Sequence, residues 1–199
     1  MSTSTIPKLT SLCVFCGSQA GSDPVYAAAA ATLGRSMAAQ GVTLVYGGGR
    51  VGLMGAVADA VLNAGGNIVG VIPTFLKNKE LAHPKATEMI EVPDMHTRKR
   101  VMFERSDAFC IFPGGVGTLE EMFEVVTWRQ LNLHNKPIII ANVADYWADL
   151  VRLFDTIYAA GFAHGGHQAL VTVVDRAEDM VAVAQAELKA PKPPVKLNF

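Results

Sequence analysis

The sequence predicts an α/β protein, a Rossmann-like, doubly wound parallel sheet in a single domain with helices on both faces. Three observations predict it. Strand-like and helix-like segments alternate from Ser11 to Leu188. Most strand segments are apolar along their whole length, as strands buried on both faces are. The ends of the first, second and fourth strands carry small residues, Gly17-Ser18, Gly47-Gly48-Gly49 and Gly114-Gly115. In such sheets ligands bind beyond the carboxyl ends of the strands, so if these three are neighbours their turns converge on one crevice.

Residues 1–9 read as a flexible leader, and Ser11 to Cys16 as the first strand. Gly21-Ser22-Asp23-Pro24 then offers an N-cap and a Pro at the first helical position. The Ala-rich stretch Val25 to Gln40 is therefore a helix, closed by Gly41. Val42 to Tyr46 is the second strand. Gly47 to Gly52 is a glycine turn opening a helix from Leu53 to Asn63, which Gly65-Gly66 stops. Asn67 to Ile72 is the third strand, broken by Pro73. Residues 74–96 are less regular, punctuated by Pro84 and Pro93, with Thr87 to Val92 fitting a short strand. Thr97 to Arg105 reads as a helix bearing Arg98, Lys99, Arg100 and Arg105. Ala108 to Phe112 is the fourth strand and leads through Pro113–Glu121 into a helix ending near Leu133. Pro137 to Asn142 is the fifth strand, Tyr146 to Ala159 a helix, Leu170 to Val174 the sixth strand and Ala177 to Leu188 the last helix. The Pro-rich tail, 190–199, cannot continue a helix and is extended or disordered.

Composition excludes several classes of function. Half of the 199 residues are hydrophobic and the net charge is −1, enough apolar residues to bury one core. No basic run marks a nucleic-acid surface, and no apolar run approaches the roughly 20 residues of a membrane span. Met1 to Lys8 lacks the apolar centre of a signal peptide, so the expectation is a soluble, cytoplasmic protein without nucleic-acid or membrane partners. Cys13 and Cys16 form a C-x-x-C inside a strand, where residues three apart face opposite sides. A redox pair sits at a helix start instead, so these two and Cys110 read as buried thiols.

The stretch with most chemical content is Pro113-Gly114-Gly115-Val116-Gly117-Thr118-Leu119-Glu120-Glu121. A strand, a glycine turn and a helix N-terminus together can hold a phosphate, because the first helical N–H groups lack internal partners and the dipole is positive there. Glu121, about one turn inside, can reach the sugar of a bound nucleotide. Thr118 and Glu121 also fit the spacing of a capping box, in which Glu121 would be only a cap. Gly47-x-Gly49-x-x-Gly52 has the letters of a dinucleotide fingerprint. It follows the second strand rather than the first, and the next strand ends in Ile72-Pro73-Thr74 without the required acid. A nucleoside monophosphate fits better, since one helix tip serves one phosphate. Cleavage of an N-glycosidic bond passes through an oxocarbenium-like state that needs a carboxylate and a positioned water. Glu121 could supply the first and place the second, and an Arg such as Arg98 could orient it or grip the phosphate. By charge pattern alone, Arg98 and Lys99 would instead be a solvated basic face. Ser18, Gly48 and Gly49 belong to the converging turns, and Met95, just before Arg98, is a candidate contact for the base. His164-Gly165-Gly166-His167 lacks an acidic or cysteine partner and reads as a loop rather than a metal site.

Gly47-Gly48-Gly49-x-x-Gly52-Leu53-Met54-Gly55 and Pro113-Gly114-Gly115-x-Gly117-Thr118-x-x-Glu121, with Arg98-Lys99 between them, resemble the Lonely Guy (LOG) family of cytokinin riboside 5′-monophosphate phosphoribohydrolases. The resemblance covers roughly residues 10 to 185. It implies that 10–189 is a nucleotide-binding catalytic domain, and that Gly114, Gly115, Gly117 and Thr118 bind the 5′-phosphate. It makes Glu121 and Arg98 the catalytic pair and matches Glu80, Lys99 and Thr127 to nucleotide-contacting positions, with Glu120 beside the sugar. It implies hydrolysis to a free N6-substituted adenine and ribose 5-phosphate, with AMP also a substrate, no cofactor and no metal, and a homodimer or higher assembly. Family members have carried the label lysine decarboxylase, but nothing in the chain argues for a pyridoxal-phosphate site. The alternative is a non-catalytic protein that binds or senses purine nucleotides.

Overall fold

The computed structural model describes residues 7–77, 81–163 and 167–195. Its strands are β1 (Ser11–Phe15), β2 (Thr43–Tyr46), β3 (Ile68–Pro73), β4 (Glu88–Val92), β5 (Ala108–Ile111), β6 (Ile138–Ala141) and β7 (Thr172–Val174). They form one seven-stranded sheet in the order β4-β3-β2-β1-β5-β6-β7. Every pairing is parallel, from Ser11 opposite Thr43 to Ala141 opposite Val174. The expected α/β fold, and the adjacency of the three glycine-ended strands, are both found.

The helices are α1 (Pro24–Ala39), α2 (Gly52–Asn63), α3 (Met95–Glu104), α4 (Val116–Gln130), α5 (Ala148–Ala159) and α6 (Met180–Lys189). Alternate residues of each strand point to opposite faces, and both faces are covered. Leu12 and Val14 join the core that contains Leu33 and Met37 of α1, Val57 of α2 and Met180 of α6. Cys13 and Phe15 join the opposite core, with Met102 of α3, Met122 of α4 and Phe154 of α5. This explains why the strands read as apolar throughout, and it separates Cys13 from Cys16, which lies in the first core.

Local chemistry sets the helix starts. Asp23 caps α1, its side chain accepting from the Val25 N–H at 2.9 Å, with Pro24 in the first turn. Asp94 caps α3 through the Thr97 N–H at 2.7 Å. Helix α5 begins at Ala148, later than the expected Tyr146, with Trp147 as its N-cap and the Trp147 N–H donating to Asn142 Oδ1 at 2.9 Å. One expectation about the ends needs correction. Pro7 to Leu9 are not loose: Leu9 is buried and its N–H donates to Gln185 Oε1 at 2.9 Å. The tail is extended and pinned as far as Val195, whose N–H and C=O both pair with the Asn132 side chain at 3.0 Å. Among the described residues no helix is long and apolar enough to cross a membrane. His164 to Gly166 lie outside the described residues.

Candidate active site

The strand order reverses between β1 and β5. From β1 the chain builds outward through β2, β3 and β4, and from β5 it builds the other way through β6 and β7. Turns leaving neighbouring strands in opposite directions open a crevice at their carboxyl ends. A cavity of about 300 Å³ lies there, lined by Cys16 to Ser18 after β1, Gly47 after β2, Met95 and Arg98 of α3, and Gly115 to Thr118, Glu120 and Glu121 after β5. Helix α3 is the segment by which the chain returns from the edge strand β4 to the middle of the sheet. It therefore delivers Arg98 to the crevice from the opposite half to Glu121.

Arg98 is only 4% exposed. Its Nε donates to the Val71 carbonyl at 3.0 Å and its Nη2 to the Gly47 carbonyl at 2.7 Å. The guanidinium is thus fixed between the ends of β2 and β3. Lys99 is 7% exposed and pairs with Glu120 and, at 3.1 Å, with Glu124. Burial alone would lower the Lys99 pKa, but hydrogen bonds from its ammonium to the two carboxylates outweigh that and raise it. The solvated basic face suggested by charge pattern is therefore wrong. Both side chains turn inward because α3 crosses the sheet edge and packs between β3 and α4.

Arg98 and Glu121 act on the same space. The Cys16 thiol is pushed far up in pKa by burial, further up by the Glu121 carboxylate, and partly back down by the Arg98 guanidinium. All three residues line the one cavity.

The turn before α4 carries its own information. Gly115 is the N-cap, in an extended conformation with no side-chain cap bond, and Thr118 is the third residue of the helix. In a capping box Thr118 would precede the helix, so that reading of Glu121 fails. Thr118 is buried and packs on Gly114, where an added Cβ would stand 2.1 Å from its Oγ1. A Cβ on Gly115 or Gly117 would meet nothing within 4 Å. Packing in the protein itself does not demand glycine there, so the space is available to a ligand approaching the helix tip. Gly114 is also held by the Tyr146 hydroxyl, which donates to its carbonyl at 2.5 Å.

Ser18, Met95, Arg98, Gly115, Gly117, Thr118, Glu120 and Glu121 all line the cavity, and the structure brings them together. Others stand apart. Gly114 lines an adjoining cavity of about 260 Å³ with Tyr26 and Tyr146. Gly48 and Gly49 brace the loop instead: the Gly48 carbonyl accepts from the His83 N–H at 2.8 Å, and Gly49 pairs with Ala82. Thr127 is exposed, nearly two turns beyond Glu121 on α4, away from the cavity lining. Lys99 touches the site only through its carboxylate partners. Glu80 lies outside the described residues. Sequence reading missed Met54 as a lining residue and Glu124 as a Lys99 partner. The four-residue spacing of Glu120 and Glu124, which puts both on one helix face, was a usable signal for the last.

The chain is similar to known proteins over most of its length. A protein-family model described as "Possible lysine decarboxylase" matches residues 54–184. A rice (Oryza sativa subsp. japonica) protein described as a "Probable cytokinin riboside 5′-monophosphate phosphoribohydrolase" is 47% identical over 170 residues, 85% of this chain and 75% of its own length. A cytokinin riboside 5′-monophosphate phosphoribohydrolase of Rhodococcoides fascians is 43% identical over 181 residues, 90% of this chain and 91% of its own. Among solved structures, the molybdenum cofactor carrier protein of Chlamydomonas reinhardtii superposes with a TM-score of 0.70 at 19% identity, over 91% of this chain and 99% of that one, a likeness of fold. With a family model matching more than half of the chain and relatives above 40% identity over most of it, the chain belongs to the Lonely Guy (LOG) family.

Proposed function

We propose that the protein is a phosphoribohydrolase that cleaves the N-glycosidic bond of cytokinin riboside 5′-monophosphates, and of AMP, to a free base and ribose 5-phosphate. The observation that carries this reading is the meeting of buried Arg98 with Glu121 in one cavity whose rim is the glycine-rich tip of α4. The names of the relatives supply the substrate class.

In this reading the 5′-phosphate sits on the first N–H groups of α4, at Gly115, Gly117 and Thr118. The ribose then lies over Glu121. As the C1′–N9 bond breaks, its electron pair stays with the base, which takes up a proton from solvent that Glu121 later returns, and positive charge builds on the sugar. The Glu121 carboxylate stabilises that charge and accepts a proton from the water that bonds to C1′. Arg98, fixed by two carbonyls, orients Glu121 across the cavity. Glu120 faces the sugar hydroxyls, and Met95 and Met54 offer an apolar end for the base. A decarboxylase reading has little support, since no lysine lines the described part of the cavity and Lys99 is held by two carboxylates. The binder reading made Glu121 a capping residue, and α4 starts too early for that cap.

The test is to incubate the protein with AMP and with isopentenyl-AMP and to follow free base. The expected result is release by the wild type, and loss of release with retained nucleotide binding in Glu121→Gln. No base from either nucleotide, at high enzyme and long times, would end the proposal.

A further inference from the structure

We propose that Glu124 is a positioning residue for this reaction: through Lys99 it holds α3 against α4 and so sets Arg98 opposite Glu121. The proposal rests on the reading of Arg98 and Glu121 given above.

Lys99 follows Arg98 on α3 and reaches across to α4, where its ammonium sits between Glu120 and Glu124. The two acids are four residues apart on one helix face, where like charges repel unless a cation lies between them. Their exposure divides their work. The Glu120 side chain is 52% exposed and lines the cavity, whereas that of Glu124 is 24% exposed and does not. Glu120 is therefore free to turn toward a sugar hydroxyl when a nucleotide binds. Glu124 remains, and keeps the buried Lys99 ammonium paired throughout the cycle. A buried ammonium left without a partner would move or lose its proton.

The neighbouring residue makes this matter for chemistry. Arg98 is tied on its far side to the Gly47 and Val71 carbonyls. Helix α3 is thus fastened to β2 and β3 by one side chain and to α4 by the next. Arg98 reaches the crevice from α3 and Glu121 from α4, so the Lys99–Glu124 pair spans the joint that sets their separation. Misplacement of a reacting group by about 1 Å can cost on the order of 100-fold in rate.

The experiment uses the full chain and the better turned-over of AMP and isopentenyl-AMP. Wild type, Glu124→Gln, Glu124→Asp, Lys99→Met and the Glu124→Gln/Lys99→Met double variant are compared for kcat, KM and Tm. The expected result for Glu124→Gln is a kcat lower by about tenfold with KM within about twofold, the pattern of a lost transition-state arrangement. Glu124→Asp should recover much of that kcat. The double variant should be no slower than Lys99→Met alone, since the two residues act as one unit. An unchanged kcat in Glu124→Gln, beside an active wild type, would overturn the proposal and leave the proposed function standing. So would a raised KM with unchanged kcat, which would make Lys99 a direct ligand of the nucleotide. A fall in kcat matched by an equal loss of folded protein would reduce Glu124 to a stabilising role. An inactive wild type would defeat the proposed function and this inference together.

Discussion

The guanidinium of Arg98 donates to the Gly47 carbonyl at 2.7 Å, and a Cβ built on Gly47 would stand 2.1 Å from that same nitrogen. The glycine is what lets the cation lie flat against the end of β2. Gly47→Ala should displace Arg98 without unfolding the sheet. We expect kcat for base release to fall by about 10- to 100-fold, while circular dichroism remains that of the wild type. A variant with wild-type kcat would mean that this contact does not place the cation.

Gly117 tests the phosphate site from the other direction. A methyl group there meets nothing in the protein, and Gly117 is inside α4, where Ala is favoured over Gly by up to about 1 kcal/mol. Gly117→Ala should hold or slightly raise Tm. If the phosphate approaches this backbone, the same methyl blocks it, and KM should rise by roughly tenfold or more, about 1.4 kcal/mol of binding. A higher Tm with unaltered KM would put the phosphate elsewhere.

Asp107 stitches the start of β1 to the start of β5. Its Oδ2 accepts from the Thr10 N–H at 2.8 Å, the Thr10 hydroxyl at 2.7 Å and the Ser11 N–H at 3.0 Å. Partial burial alone would raise its pKa, but these bonds outweigh it and hold the carboxyl below the usual carboxylate value. A folded-state pKa below the unfolded one adds stability above the unfolded value, near 4, and that stability is lost as pH falls through the folded value. Asp107→Asn should therefore cost about 1–2 kcal/mol at pH 7, and the gap from wild type should shrink below about pH 4. Denaturant melts at pH 7 and pH 3 check this, and a gap that grows on acidification would refute it.

Cys13, Cys16 and Cys110 are all buried. Burial pushes the Cys110 thiol up to about 12 and the other two above their ordinary range, with Glu121 adding to both. Alkylation depends on the thiolate. Iodoacetamide at pH 8 should therefore label none of the three in the folded protein and all of them in denaturant, as mass spectrometry would show. Prompt labelling of Cys16 alone would mean that the cavity floor opens to solvent.

The sheet was legible because its signals are local and repeated. Apolar runs end in Gly17, Gly47 and Gly114, and each helix has its stop. The glycine turn and Glu121 at the head of α4 were legible for the same reason, since strand, glycines and acid are contiguous. What stayed hidden depends on contacts between distant segments. Nothing near Arg98 in sequence reveals that Gly47 and Val71 bind it, and nothing local distinguishes a solvated Lys99 from one buried between Glu120 and Glu124. The capping box failed by position, because Gly115 rather than Thr118 starts the helix. The tail looked unsupported because its partner, Asn132, is far away along the chain.

The reversal of strand order between β1 and β5 divides the labour of the site. The cation belongs to the half that ends with α3, the acid to the half that begins with β5, and the short connection Arg105-Ser106-Asp107 joins them. A chain severed at that link would yield two pieces, each holding one of the two charges and neither with a crevice. Were the pieces to reassociate along the β1–β5 edge, pairing of the strands and recovery of hydrolysis would have to arrive as one event.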